Sequence, residues 1–378
     1  MAEITFDLAT KIIPKDQVIW AVFPGKSRRF LDQFVEQDAI FLDSPGIELR
    51  PQVLLDDDLL RKHLAMSEAI AEYRLGSSTS LPSRDATTYP VKRGASFNAA
   101  VGNVRNMFAK MKPGDLVIMG GKSIYQPVFA GEIVTPFDAA SVLQTAAYPG
   151  EKIPYRSVRW LPVRTDRRFL SERLSHLLSN RKAVITVDRT EFADEIFKLA
   201  YGDYVFGENS RYIFPGPRYN NIATSTVPGI ELISYLMAAV NARTVGELGA
   251  FSEMEIRSAI SNYFEQDVLY SFEIDFASPG EYIVHARKAA LALVVAVLVS
   301  ATSGDISYAE AQTAKIVNSG DHANSPATAA CNPIKIEEEY REIMDSLGAS
   351  RFNSLCSINQ DAQQGVGLHV PIKVKRTP

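Results

Sequence analysis

Residues 155–164 read YRSVRWLPVR, a strip in which Tyr155 and Trp160 alternate with Arg156, Arg159 and Arg164. In extended chain Val158 and Trp160 fall on one face and Arg159 on the other, so a strand is predicted over 157–161. The strip follows MKPGDLVIMGGKSIYQPVFAGEI, residues 111–133. There Pro113, Gly114 and Asp115 make a turn between a helix and a strand over 116–119, and a second strand is predicted over 128–134. The two stretches together point to the closing half of a small β-barrel that reads nucleotides. Its arginines would attract phosphate and its rings would offer a stacking face. Residues 120–123, GGKS, lack the first glycine of a phosphate loop and lead toward Pro127 rather than a helix, so they read as a hairpin turn.

Upstream, residues 18–23 (VIWAVF) form a short apolar run stopped by Pro24 and Gly25, which predicts a strand. Helices are expected over 27–36, 56–73 and 98–112, with a strand over 39–42 between the first two. Residues 76–93 are a Ser/Thr-rich loop long enough to be functional. Downstream, a short helix over 169–178 and a strand over 183–187 close a partly open barrel of five or six strands.

The second half announces no chemistry. Residues 201–221 read as a structured loop rich in Tyr, Gly, Pro and Asn. Helices are expected over 227–243, 247–264, 307–317 and 334–347, and strands over 268–276, 281–285 and 366–374. Residues 286–303 (ARKAALALVVAVLVSATS) are apolar. Their uncharged part is shorter than the ~20 residues of a spanning helix, so a buried central helix is expected, with a membrane-seeking segment as the alternative.

With 378 residues, 46% hydrophobic and 22% charged, the chain has the composition of a globular protein of two or three domains. A net charge of −4 excludes a histone-like polycation, so any nucleic-acid contact must be a local patch. Residues 152–182 supply one: nine Lys and Arg against Glu151, Asp166 and Glu172. Two cysteines, Cys331 and Cys356, form neither a metal cluster nor a disulfide framework and suit a reducing cytoplasm. The first sixteen residues read as no signal peptide. The five histidines show no zinc-binding spacing.

The order of motifs resembles a known family. A Trp-bearing first strand precedes a helix that ends before the PGD turn. A strand pair ending in GEI follows, then YRSVRWL, the helical RFLSERLSHLLSN and the closing strand AVITV. Over about residues 14–189 this is similar to the EVE-like branch of the PUA-like barrels found at the N-terminus of bacterial Mrr-type restriction enzymes. The resemblance implies binding of a modified base or nucleotide in an aromatic pocket, beside an effector domain, in phage defence. It places Trp20 and Phe23 on the first strand, Asn98, Asn103, Arg105 and Asn106 on the pocket-lining helix, and Tyr155, Arg156 and Trp160 on the basic-aromatic strand.

The expectation is therefore an α+β protein: an EVE/PUA-like open barrel over 1–189 and a mixed α/β effector or interaction domain over 190–378. Its ligand is DNA, RNA or a modified nucleotide, its partner a protein or a second copy, and its location the cytoplasm. Trp20, Phe23, Asn98, Asn103, Arg105, Asn106, Tyr155 and Trp160 would hold the base, although Trp20 and Trp160 also suit a barrel core. Arg156, Arg159, Arg164, Arg167 and Arg168 would meet phosphate. No cofactor or metal is expected in this reading. A metal-dependent nuclease is the alternative. It would use Mg²⁺ with Glu273, Asp275, Glu281 or His285, although these acids do not match the Asp…Glu-x-Lys spacing of restriction nucleases.

Overall fold

The structure is a computed structural model. It describes residues 3–163, 165–216, 226–265, 269–275, 280–288, 290–319 and 332–377, without the side chains of Tyr270 and Asp275. The chain is a mixed α/β protein of two compact units, one formed by residues 16–200 and the other by residues 1–15 with 201–378.

Residues 1–15, expected within the domain over 1–189, belong to the second unit. Strand β1 (Glu3–Asp7) pairs with two strands from the far end of the chain, and β2 (Lys11–Ile13) with a strand beginning at Tyr204. In β1, Ile4 and Phe6 are fully buried, and that apolar alternation anchors the strand there.

The 16–200 unit carries a seven-stranded sheet. It is built from β3 (Ile19–Val22), β4 (Ala39–Phe41), β5 (Leu116–Gly120), β6 (Val128–Ile133), β7 (Val142–Thr145), β8 (Tyr148–Trp160) and β9 (Val184–Thr186). The order is β4-β8-β6-β5-β3-β9, with β7 on β8 and β3 parallel to β5. The helices are α1 (Leu31–Glu36), α2 (Pro51–Leu55), α3 (Asp57–Arg74), α4 (Ala95–Val104), α5 (Glu172–Ser179) and α6 (Arg189–Tyr201). Asp56 caps α3 by accepting the Leu59 N–H, and the acids at 57 and 58 follow in its first turn, where the helix dipole favours them. After α4 the chain widens into a π-helical turn over Arg105–Lys110.

The PGD turn is the hub of this core. The carboxylate of Asp115, 4% exposed, accepts the Trp20 indole N–H at 2.9 Å and the backbone N–H groups of Val18 and Lys112 at 3.1 and 2.9 Å. Three donors on one buried acid join β3, β5 and the end of the preceding helix. The long polar loop is also pinned: Arg84 and Arg74 both bind Glu151 of β8, which is 3% exposed. The Arg84 hydrogen bond, and then that of Arg74, hold the Glu151 carboxyl below its ordinary range. Such a group stabilises the fold above its unfolded pKa, and the stabilisation is lost as pH falls through the depressed folded value. Glu151→Gln is therefore expected to lower stability by about 1–2 kcal/mol at neutral pH, since Arg74 and Arg84 stay partly solvated. The gap should shrink as urea titrations move from pH 7 toward pH 4. An equal gap at both pH values would show that Glu151 acts through packing rather than charge.

The second unit has a five-stranded and a three-stranded sheet around an apolar helix. The first has the order β12-β13-β11-β10-β2, from β10 (Tyr204–Phe206), β11 (Asn209–Gly216), β12 (Leu269–Asp275) and β13 (Gly280–Ala286). The second has the order β14-β1-β15, with β14 (Lys315–Val317) and β15 (Lys373–Thr377). The helices are α7 (Val227–Thr244), α8 (Leu248–Glu253), α9 (Ile256–Tyr263), α10 (Leu291–Ala301), α11 (Tyr308–Gln312) and α12 (Pro333–Val366), the last broken at Gly348. Every residue of α10 is buried, packed with α7 and α12. Among the described residues no helix is long and apolar enough to cross a membrane.

Candidate functional site

The structure disperses the basic strip instead of presenting it on one surface. Arg156, Val158 and Trp160 share a face of β8, and that face points inward. Arg156 is 1% exposed, and its guanidinium donates to the carbonyls of Met107, Met111 and Thr135 at 3.0, 2.9 and 2.8 Å. Its expected phosphate contact is thereby corrected: it ties down the end of the π-helical turn, where backbone acceptors lack helical donors. Arg159 lies outward and bonds the buried Glu132 at 2.7 Å. Arg168 pairs with Asp166 at 3.3 Å, and Arg164 lies outside the described residues.

The expected aromatic cage does not form either. Trp20, 3% exposed, is core, with its N–H spent on Asp115. Trp160 is half-buried, gives its N–H to the Phe34 carbonyl at 3.0 Å and meets the Phe129 ring at 6.4 Å. Tyr155 packs half-buried against the same core. Asn98 is exposed and accepts from Arg61 at 2.9 Å, while Arg105 pairs with Asp57 at 3.1 Å. Asn103 and Asn106 are half-buried.

The site that does assemble lies where β3 ends. Phe23 keeps one more sheet bond, to the Ala183 carbonyl at 3.0 Å, and the chain then turns through Pro24. Gly25 has φ +71°, and a Cβ there would come within 2.5 Å of the Phe30 ring, so the turn requires glycine. Ser27 and Arg28 also take positive φ, 55° and 57°, at a cost of about 1–3 kcal/mol each, and strain of this kind concentrates at functional sites.

The strained turn drives Arg28 inward. Its guanidinium donates to the carbonyls of Gly120 and, at 2.7 Å, Leu178, and stands 4.7 Å from the centre of the Phe23 ring. Arg167 enters the same place, bonding the Ser175 carbonyl at 3.0 Å and the Ser179 hydroxyl. Both arginines crowd Gly120, where a Cβ would lie 3.2 Å from Arg167 and 3.5 Å from Arg28. Arg28 is 7% exposed and Arg167 8%, and among the described residues neither meets a carboxylate. Burial, and then the neighbouring Arg167 charge, push the Arg28 pKa down to about 10, so both remain cations at neutral pH.

Around them opens a cleft of about 690 Å³. Phe23, Phe41 and Leu42 give it an apolar wall, and Lys26, Lys122 and Arg181 add positive charge. Asp43 is the one carboxylate among the described lining residues, and it is engaged by Tyr148 at 2.6 Å and by Arg29. Lys122 reaches Asp32 at 2.5 Å, whereas Lys26 and Arg181 stand exposed. Of the residues expected to bind, Phe23 and Arg167 line this cleft, and so does Arg181 from the basic stretch 152–182. Lys122 stands in the GGKS turn, which carried no binding role, and Lys26 and Arg28 stand in the PGKSRR turn directly after the first strand.

In the second unit, β12 and β13 place Asp275 opposite Glu281 and Ser271 opposite His285. Glu273 is exposed and accepts from the Ser271 hydroxyl at 2.6 Å. His285 is 2% exposed and faces Arg211 in register. Nearby, Asp203 accepts the Ile213 N–H at 2.7 Å, and burial pushes its carboxyl up to about 7 despite the Arg211 charge. Among the described residues no group of three or more His, Cys, Asp or Glu side chains could hold a metal ion. Comparison with protein-family models, curated proteins and solved structures gives no match.

Proposed function

We propose that this chain binds a nucleic acid or a modified nucleotide, and that the cleft between Phe23 and Arg181 takes a phosphate. The observation that carries this reading is the Arg28–Arg167 pair: two buried cations side by side, bonded to neutral acceptors, with the Arg167 Nε left without one, and meeting no carboxylate among the described residues. Holding two like charges out of water is costly, and a phosphate entering the cleft would relieve both the repulsion and the desolvation. The planar guanidiniums suit phosphate oxygens, and the wall of Phe23 and Phe41 suits a base or sugar. We read the seven-stranded sheet as the open barrel of the EVE/PUA-like group, since the motifs behind that resemblance occupy β3, β5, β6, β8 and β9. Phage defence is the setting that the resemblance implies.

The test is a salt titration. Affinity for a fluorescent single-stranded oligonucleotide is followed by anisotropy between about 50 and 200 mM salt. A logarithmic slope of about −2 or steeper is expected, corresponding to three or more phosphate contacts at ~0.7 each. Affinity that does not respond to salt, or no binding at the low-salt end, would refute the phosphate role.

A further inference from the structure

Among the described residues, the Phe, Tyr and Trp side chains that stand exposed are Tyr125 and Phe169, each 68% exposed. They are neighbours. Tyr125 lies on the β5–β6 connection, and Phe169 on the short turn Arg167–Phe169. Backbone bonds stitch the two segments together: Arg167 N–H to the Gln126 carbonyl at 3.1 Å, and Arg168 N–H to the Ile124 carbonyl at 2.9 Å. The Arg168 guanidinium stands 5.9 Å from the centre of the Tyr125 ring and 4.6 Å from that of Phe169. Ile124, 49% exposed, extends the patch.

Scattered exposed apolar residues need no explanation, but two rings gathered around one cation on braced turns form a built surface. It also adjoins the cleft in sequence and space. Lys122 on the same connection and Arg167 beside Arg168 both line the cleft.

We propose that Tyr125, Arg168 and Phe169 form a stacking platform for an unpaired base next to the nucleotide whose phosphate occupies the cleft, so that the substrate class is single-stranded nucleic acid. This inference rests on the phosphate reading of the cleft. A flat ring or guanidinium accepts the face of any base, and a duplex keeps those faces stacked inside itself. The positive cleft alongside selects a polyanion over an apolar protein surface.

The full chain is titrated with a labelled oligothymidylate of twelve nucleotides and with a blunt duplex of equal length. The wild type is expected to prefer the single strand. Tyr125→Ala with Phe169→Ala should weaken single-strand binding by about tenfold or more, leave the salt slope unchanged and spare the duplex. Tyr125→Trp with Phe169→Trp should keep the affinity, because a ring of any kind stacks. Unchanged single-strand affinity in the double alanine variant would overturn the platform while leaving the cleft reading intact. A wild type that binds neither probe would overturn both. Unchanged affinity with a drop in solution mass from dimer to monomer would instead assign the rings to a contact between copies of the chain.

Discussion

Arg156→Met is expected to lower the stability of the protein by about 2–4 kcal/mol while leaving any ligand contact untouched. Methionine keeps most of the length and apolar volume of the side chain, so the loss reports the guanidinium. Three carbonyls depend on that group, those of Met107, Met111 and Thr135, and two of them stand at the end of the π-helical turn. Hydrogen bonds from a charged donor contribute roughly 1.5–3 kcal/mol each, against which stands the cost of keeping the charge buried. Burial depresses the Arg156 pKa and the Asp115 carboxylate offsets only part of that effect, so the three bonds stand against a desolvation cost that methionine would not carry. Denaturant unfolding measures the difference. Equal or greater stability in the methionine variant would mean that the desolvation cost exceeds the three bonds.

Reversing two rim charges is the change expected to affect function most. Lys26→Glu with Arg181→Glu puts two carboxylates at the mouth of the cleft, where both native side chains are exposed and carry little of the fold. Binding of a single strand should fall by about 100-fold or more at low salt, and the slope against salt should flatten. The melting temperature should barely move. Lys110→Glu with Lys112→Glu is the control: it changes net charge equally at exposed positions outside the cleft lining. Equal losses in the two variants would mean that overall charge, not this cleft, governs binding.

Much of the sheet was legible because its strands are short apolar runs ended by Pro, Gly or Asp. Residues 18–23, 39–42, 116–119 and 128–134 all contain strands close to those limits. Strands β7, β10 and β11 lie where no strand was expected, and β14 lies within the helix expected over 307–317. β7 reads VLQT and lies mostly exposed at the margin of the sheet, so no apolar run marks it. β10 and β11 lie in a stretch whose Gly, Pro and Asn read as loop, yet from Tyr212 on the buried Tyr212 and Phe214 alternate with the half-buried Ile213 and Pro215.

Arg156 departs from its expected phosphate role because its parity with Val158 and Trp160 places it inward. The turn PGKSRR received no binding role because Pro24 and Gly25 read as the stop of a strand and Ser27 to Arg29 as the start of a helix over 27–36. What gives it meaning is the left-handed backbone at Ser27 and Arg28, which no composition or periodicity reveals.

Hydrogen exchange with and without a bound oligonucleotide tests the central claim most directly. Amides of residues 23–28, 120–123 and 179–183 should gain protection when the single strand binds, with those of β8 around Arg156 unchanged. Protection confined to the second unit, or to surfaces away from Phe23 and Arg181, would contradict a phosphate seat between Arg28 and Arg167.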